Sequence, residues 1–106
     1  MIKKILAAAG VPSREARFSD PPALHAVYFD SVTTGDGEDT GSALSLIHDC
    51  TVELYAPSIE EGNAARERIC VELDARGVRY STQGWYWLTD IRRYQEIIEF
   101  THIEKT

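Results

Sequence analysis

Residues 42–55, SALSLIHDCTVELY, repeat with a period of two for a dozen positions, which no helix can satisfy. Leu44, Leu46, His48, Cys50, Val52 and Leu54 fall on one side, and Ser45, Ile47, Asp49, Thr51, Glu53 and Tyr55 on the other. The chain therefore has to provide a sheet, with one face of this strand in the core and the other mostly wet. A second strand is expected at residues 23–30, ALHAVYFD. There Leu24, Ala26 and Tyr28 oppose His25, Val27 and Phe29, so both sides are apolar. Pro21 and Pro22 keep the preceding stretch extended, since each proline also disfavours helix in the residue before it.

Between the two strands lies TTGDGEDTGS, residues 33–42, which the alternation on either side makes a polar hairpin loop. Asp36, Glu38, Thr40 and Gly41 match positions one, three, five and six of a calcium loop. Position twelve is Ile47, where a bidentate glutamate is required. Gly35, Gly37 and Gly41 form G-x-G-x-x-x-G, one residue away from the dinucleotide fingerprint, with no Walker lysine and no helix to follow. Three carboxylates would also repel a phosphate. A flexible polar connection is the reading that survives.

The segment after the long strand carries helix punctuation. Ser58 stands three residues before Glu61, the spacing of a capping box, and Gly77 sits where a left-handed residue ends a helix. Ile59, Ala65, Ile69 and Leu73, with Cys70 and Val71 nearby, predict an apolar stripe. Glu60, Glu67, Arg68, Asp74 and Arg76 are expected to point outward. A main helix over 58–76 follows. A short helix over 1–10 is expected from Ile2, Ile5, Leu6 and Ala9, stopped by Gly10 and Pro12. WYWL (85–88) and YQEIIEFTHIEK (94–105) read as two further strands, although EIIEF is not cleanly two-sided.

These elements predict an α+β fold: a sheet of about four strands, antiparallel or mixed, with one long helix packed on a face and a short N-terminal helix. With 106 residues the chain makes a single domain over 1–106. Hydrophobic residues at 43% and charged residues at 26% are ordinary for a globular protein, and no apolar run reaches the roughly 20 residues of a membrane span. The opening MIKKILAAAG imitates a secretory signal but is too short in its apolar part, so no secretory signal is expected. Seventeen acids against eleven bases leave a net charge of -6, which disfavours direct nucleic-acid binding. Cys50 and Cys70 read as buried free thiols in a reducing compartment.

Chemistry is sparse. His48 and Cys50, with His25 or His102 from neighbouring strands, offer metal-ligand types without a zinc-like spacing. No nucleophile elbow is present, and the acid pairs Glu38-Asp39 and Glu60-Glu61 belong to a loop and a helix start. The expectation is no catalytic residue, no cofactor and no metal. Trp85, Tyr86 and Trp87 are consecutive, so a strand sends Tyr86 to the face opposite both tryptophans. Two readings stand: cover by the chain's own helix and a loop, or a protein contact, since aromatic residues concentrate in interface cores.

The segments PPALHAVYFD, HDCTVELYAPS and YQEIIEFTHIEK, with the polar loop between the first two, resemble the tail-completion or tail-terminator proteins of long-tailed bacteriophages and prophages. VELYAPS, a strand running to a Leu-Tyr pair just before the helix, carries most of that resemblance. The stretch VPSREARFSD has no counterpart in it. The resemblance implies a non-enzymatic structural subunit of the virion tail, present in the host cytoplasm during assembly. It would form a homohexameric ring on the last ring of tail-tube protein and face the head-tail connector or neck. Asp36, Glu38, Asp39, Trp85 and Trp87 are the candidate contacts. Two other readings stay open: a neck or head-closure protein of the same virion, and a small ligand-binding or enzymatic domain using His25, His48 or His102 beside a pocket. A weaker third is a regulatory or antitoxin-like interaction module.

Overall fold

The computed structural model describes residues 1–35 and 45–105, and the alternating run lies at the centre of its sheet. In chain order the elements are α1 (Ile2–Ala8), β1 (Ser13–Glu15), β2 (His25–Gly35), β3 (Ser45–Ala56), α2 (Ile59–Ala75), β4 (Tyr80–Thr82), β5 (Tyr86–Leu88) and β6 (Arg93–Lys105). One sheet takes them in the order β1-β2-β3-β6-β4, with β5 also paired to β6. Every pair is antiparallel except β1 with β2.

The expected sheet of about four strands is overturned: the sheet has six strands, with the long helix and the short N-terminal helix both lying on it. The three-residue strands β1 and β4 account for the difference, while β5 falls within the strand expected over 85–88. β1 and β4 are too short to show a period, and each exists because a longer strand offers it backbone partners. β2 also continues to Gly35, so residues 33–35 of the expected loop belong to a strand, and 36–44 lie outside the described residues.

Alternation decides the core. Cys50, Val52, Leu54 and Ala56 of β3 and Ile98 and Phe100 of β6 turn to one face and are buried. Both helices cover that face. α1 contributes Ile2, Ile5 and Leu6, and α2 contributes Ala65, Ile69 and Leu73. Ile59, expected in the apolar stripe, and Val71, expected near it, are exposed; Gly62 is buried on α2 with Ala65, Ile69 and Leu73. Ser58 caps α2 as its spacing predicts, its hydroxyl accepting from the Glu61 amide at 3.2 Å. At the other end Gly77 adopts φ +68, the Gly77 amide donates to Asp74 and the Val78 amide to Leu73, so the last carbonyls are satisfied.

Among the described residues, the opposite face of the sheet carries no helix. It presents Phe29, Thr51, Glu53, Ile97, Glu99 and Ile103, among others, with Phe29 and Ile103 exposed. β2, β3 and β6 have 11, 12 and 13 residues, and at about 3.4 Å per residue they give the molecule its length, with extents of 51 × 26 × 21 Å.

Candidate functional site

The short outer strands flank only the helix-covered part of the sheet. Beyond the row Asp30–Cys50–Phe100 the sheet continues, among the described residues, as β2, β3 and β6 by themselves. In this three-stranded section Val32, His48 and His102 share a row, and Thr34, Leu46 and Glu104 share the next row of the same face. His48, on the middle strand, bridges the other two. Its Nδ1 meets both oxygens of Asp30, at 2.9 and 3.0 Å, and its Nε2 meets Oε2 of Glu104 at 3.0 Å. Both ring nitrogens face ionisable oxygens that only accept when charged, so the imidazolium is the form that fits.

The hydrogen bond to Asp30 is the chief reason that the pKa of His48 is raised, with Glu104 adding to it against the cost of burial. His102 stacks on His48 with centroids 4.2 Å apart and planes 9° from parallel. Burial and the neighbouring His48 charge lower its pKa, and its Nε2 is buried without a hydrogen-bond partner among the described residues. The carboxylates thus favour the charged form of the His48 ring, and burial favours the neutral form of His102. Below it, the Cys50 thiol lies 3.7 Å from Asp30, and burial, followed by that carboxylate's charge, pushes the thiol up to about 12. A thiol with so little thiolate character is a poor nucleophile. Cys50 and Cys70 are both free.

His48 and His102 are thus brought together, and His25 is not. His25 sits at the start of β2, where its Nδ1–H donates to the Pro22 carbonyl at 2.8 Å and its ring stacks on Tyr55. Among the described residues no group of three or more His, Cys, Asp or Glu is placed to hold a metal ion. With both nitrogens of His48 engaged, that ring has no free lone pair for a metal or a substrate proton. A groove of about 390 Å³ beside the pair is lined by Lys4, Arg76, His48, His102 and Glu104, and it is wide open to solvent.

The aromatic run divides between the two readings given for it. Trp85 precedes β5 and packs on α2: its Nε1–H donates to Asn63 at 2.8 Å, and the Arg66 guanidinium lies 5.8 Å from its ring centroid. Gly62 lies beneath the ring, where any Cβ would come within 2.4 Å of it. Trp85 is therefore tied to the fold. Trp87 stays 49% exposed with its ring against Tyr94, while Tyr86, on the opposite face of β5, and Ile91 are also exposed. Asp36, Glu38 and Asp39 lie outside the described residues.

Two features escape sequence reasoning. Asp30 and Glu104 ended ordinary strand patterns, and only the register reveals that both face His48. Glu96 is fully buried on the core face of β6, its oxygens lack hydrogen bonds among the described residues, and Arg66 stands 3.9 Å away. The broken alternation of EIIEF was its visible trace.

No helix among the described residues is long and apolar enough to cross a membrane. No family model matches the chain, and no curated protein matches it. Among solved structures, the chain is similar to one from the virion of a native gene transfer agent particle. The TM-score is 0.61, over 96% of this chain and 84% of that one, at 12% sequence identity. The likeness is one of fold. It extends over most of both chains.

Proposed function

We propose that this chain is a structural subunit of a phage-like virion, and within that class a tail-terminator or tail-completion protein. The observation that carries the proposal is the likeness of fold, over nearly the full length of both chains, to a chain of a gene transfer agent virion. The sequence resemblance to tail-completion proteins points the same way and supplies the finer role. The subunit would form a ring, a hexamer, on the head-proximal end of the tail tube and meet the connector or neck with its other side.

A non-enzymatic role agrees with the chemistry of the histidine cluster. His48 is saturated by Asp30 and Glu104, and the Cys50 thiol is held protonated. Both serve the sheet. Exposed Trp87 beside Tyr94 offers an apolar anchor for a partner protein, and Asp36, Glu38 and Asp39 are the acidic contacts proposed from the sequence. Self-association is tested by size-exclusion chromatography with light scattering, with and without tail-tube protein. A mass of about six subunits, bound to the tube, is the expected result; a strict monomer in both conditions would sink the proposal. Binding to the head connector with none to tail tube would transfer it to a neck or head-closure role.

A further inference from the structure

Two strand edges are open at the same height of the sheet. On one flank β1 pairs with Ala26, Val27 and Tyr28 of β2 and goes no further. On the other, β4 pairs with Ile98, Glu99 and Phe100 of β6 and goes no further. Among the described residues, 31–35 of β2 and 101–105 of β6 thus have no strand on their outer sides. Residues 30–35 contain no proline, bulge or lysine, the devices that usually blunt an edge. Val32 is 48% exposed and Ile103 is 61% exposed, one on each edge.

The backbone groups on these edges are oriented for one another. The Ala26 amide donates outward to Pro12, and the Tyr28 carbonyl accepts from Ala16, so even residues of β2 point their polar groups outward. Continuing the alternation, Val32 and Thr34 do the same. On β6 the Ile97 carbonyl accepts from Gln83, so odd residues point outward there, including Thr101 and Ile103. Even residues of both strands face the helix side. β2 and β6 each run antiparallel to β3 and so parallel to each other. Parallel pairing opposes an outward residue with an inward one and keeps side chains on a common face. A second copy placed on either edge meets both conditions.

Symmetry favours unlike edges. Two β2 edges or two β6 edges could meet only about a twofold axis, which ends at a dimer and leaves the other edge of each copy unused. Next to the β6 edge, exposed Arg79 lines a groove of about 420 Å³ with the carboxylates of Asp49 and Glu99, so the edge itself is of mixed charge. We infer that residues 31–35 of one copy pair in parallel with residues 101–105 of the next, so that neighbouring sheets run into one another. This rests on the reading of the chain as a ring-forming subunit, and head-to-tail pairing of unlike edges is the contact that can close a ring.

Thr33 and Ile103 lie in the same row on the face without helices, so a full-length T33C protein mixed with I103C under mild oxidation tests the pairing directly. The expected result is a disulfide-linked dimer in the mixture and none with either protein alone. In a second test, Val32→Pro and Ile103→Pro each remove an outward amide that the β3 ladder does not use. Both should fold with the wild-type circular dichroism spectrum and lose the ring. A T33C homodimer would overturn the inference in favour of like edges. Rings that tolerate both prolines would overturn it too, while leaving the functional reading in place. A wild type that stays monomeric with its tail-tube partner overturns both.

Discussion

His48 is held between Asp30 and Glu104, and its charge is therefore part of the fold. A histidine whose pKa is raised on folding contributes stability that is complete below about pH 6.5, its unfolded value. That stability is lost as pH rises through the raised folded value. His102 and His25 have the opposite sign. Burial lowers both, so their contribution is present above the unfolded value and is lost as pH falls through the folded one. Thermal melts between about pH 5 and 8 should show a maximum, with the alkaline decline flattened in His48→Asn and the acid decline reduced in His102→Asn. Parallel profiles for wild type and both variants would contradict the assignment. Glu96 is the other residue of consequence, a carboxylate in the core with Arg66 3.9 Å away and no hydrogen bond among the described residues. Replacing a buried ionic group with an apolar one of similar volume is often neutral or stabilising by about 1–4 kcal/mol. Glu96→Met should unfold in urea at the wild-type midpoint or above it. Arg66→Met, which strands the carboxylate, should lose about 1–3 kcal/mol.

At the scale of elements, α2 was the most legible part of the chain. Its Ser58 cap and Gly77 terminus are local chemistry, decided by residues within a few positions of each other, and both appear as expected. Its apolar stripe was only partly legible, because Ile59 and Val71 fit the composition of a buried face but not the angle that the sheet selects. Gly62 occupies that angle for a reason no periodicity shows: the Trp85 ring lies over it. Gly62→Ala should gain about 1 kcal/mol of helix propensity and lose more, about 1–3 kcal/mol, by driving a Cβ into the ring. The net destabilisation should shrink when Trp85 is also shortened to leucine. An additive double mutant would refute contact between the two as the cause. β1 and β4 lie at the other extreme, for three residues hold no pattern and their pairing comes wholly from β2 and β6.

In the whole molecule, two helices and one face of a long sheet make the core, and α1 is a full member of it despite its seven residues. Ile2, Ile5 and Leu6 are each buried, and at about 1.5–3 kcal/mol apiece they carry a sum comparable with the total stability of a small domain. Deletion of residues 2–9 should abolish cooperative unfolding in urea rather than shift its midpoint modestly. A cooperative transition near the wild-type midpoint would show that α1 is dispensable. Among the described residues, the same arrangement leaves the second sheet face and the far section of the sheet without helix cover, which is where a subunit of an assembly has surface to offer.

Whatever depends on neighbours in the chain was determined by the sequence: the alternation that makes β3 a strand, the cap and terminus of α2, the stop of α1 at Gly10 and the lack of a phosphate or calcium pattern in residues 33–42. Whatever depends on register was decided by the tertiary structure. Asp30, His48 and Glu104 are separated by 18 and 56 residues and meet because two ladders bring them into adjacent rows. Trp85 reaches Gly62 in the same non-local way, and the edges of β2 and β6 are open because β1 and β4 stop at nearly the same height. Local propensity acts over one or two turns of chain, whereas a sheet joins residues by hydrogen bonds that take no account of sequence separation. The candidate site belongs to the second kind, and it became visible only with the strands side by side.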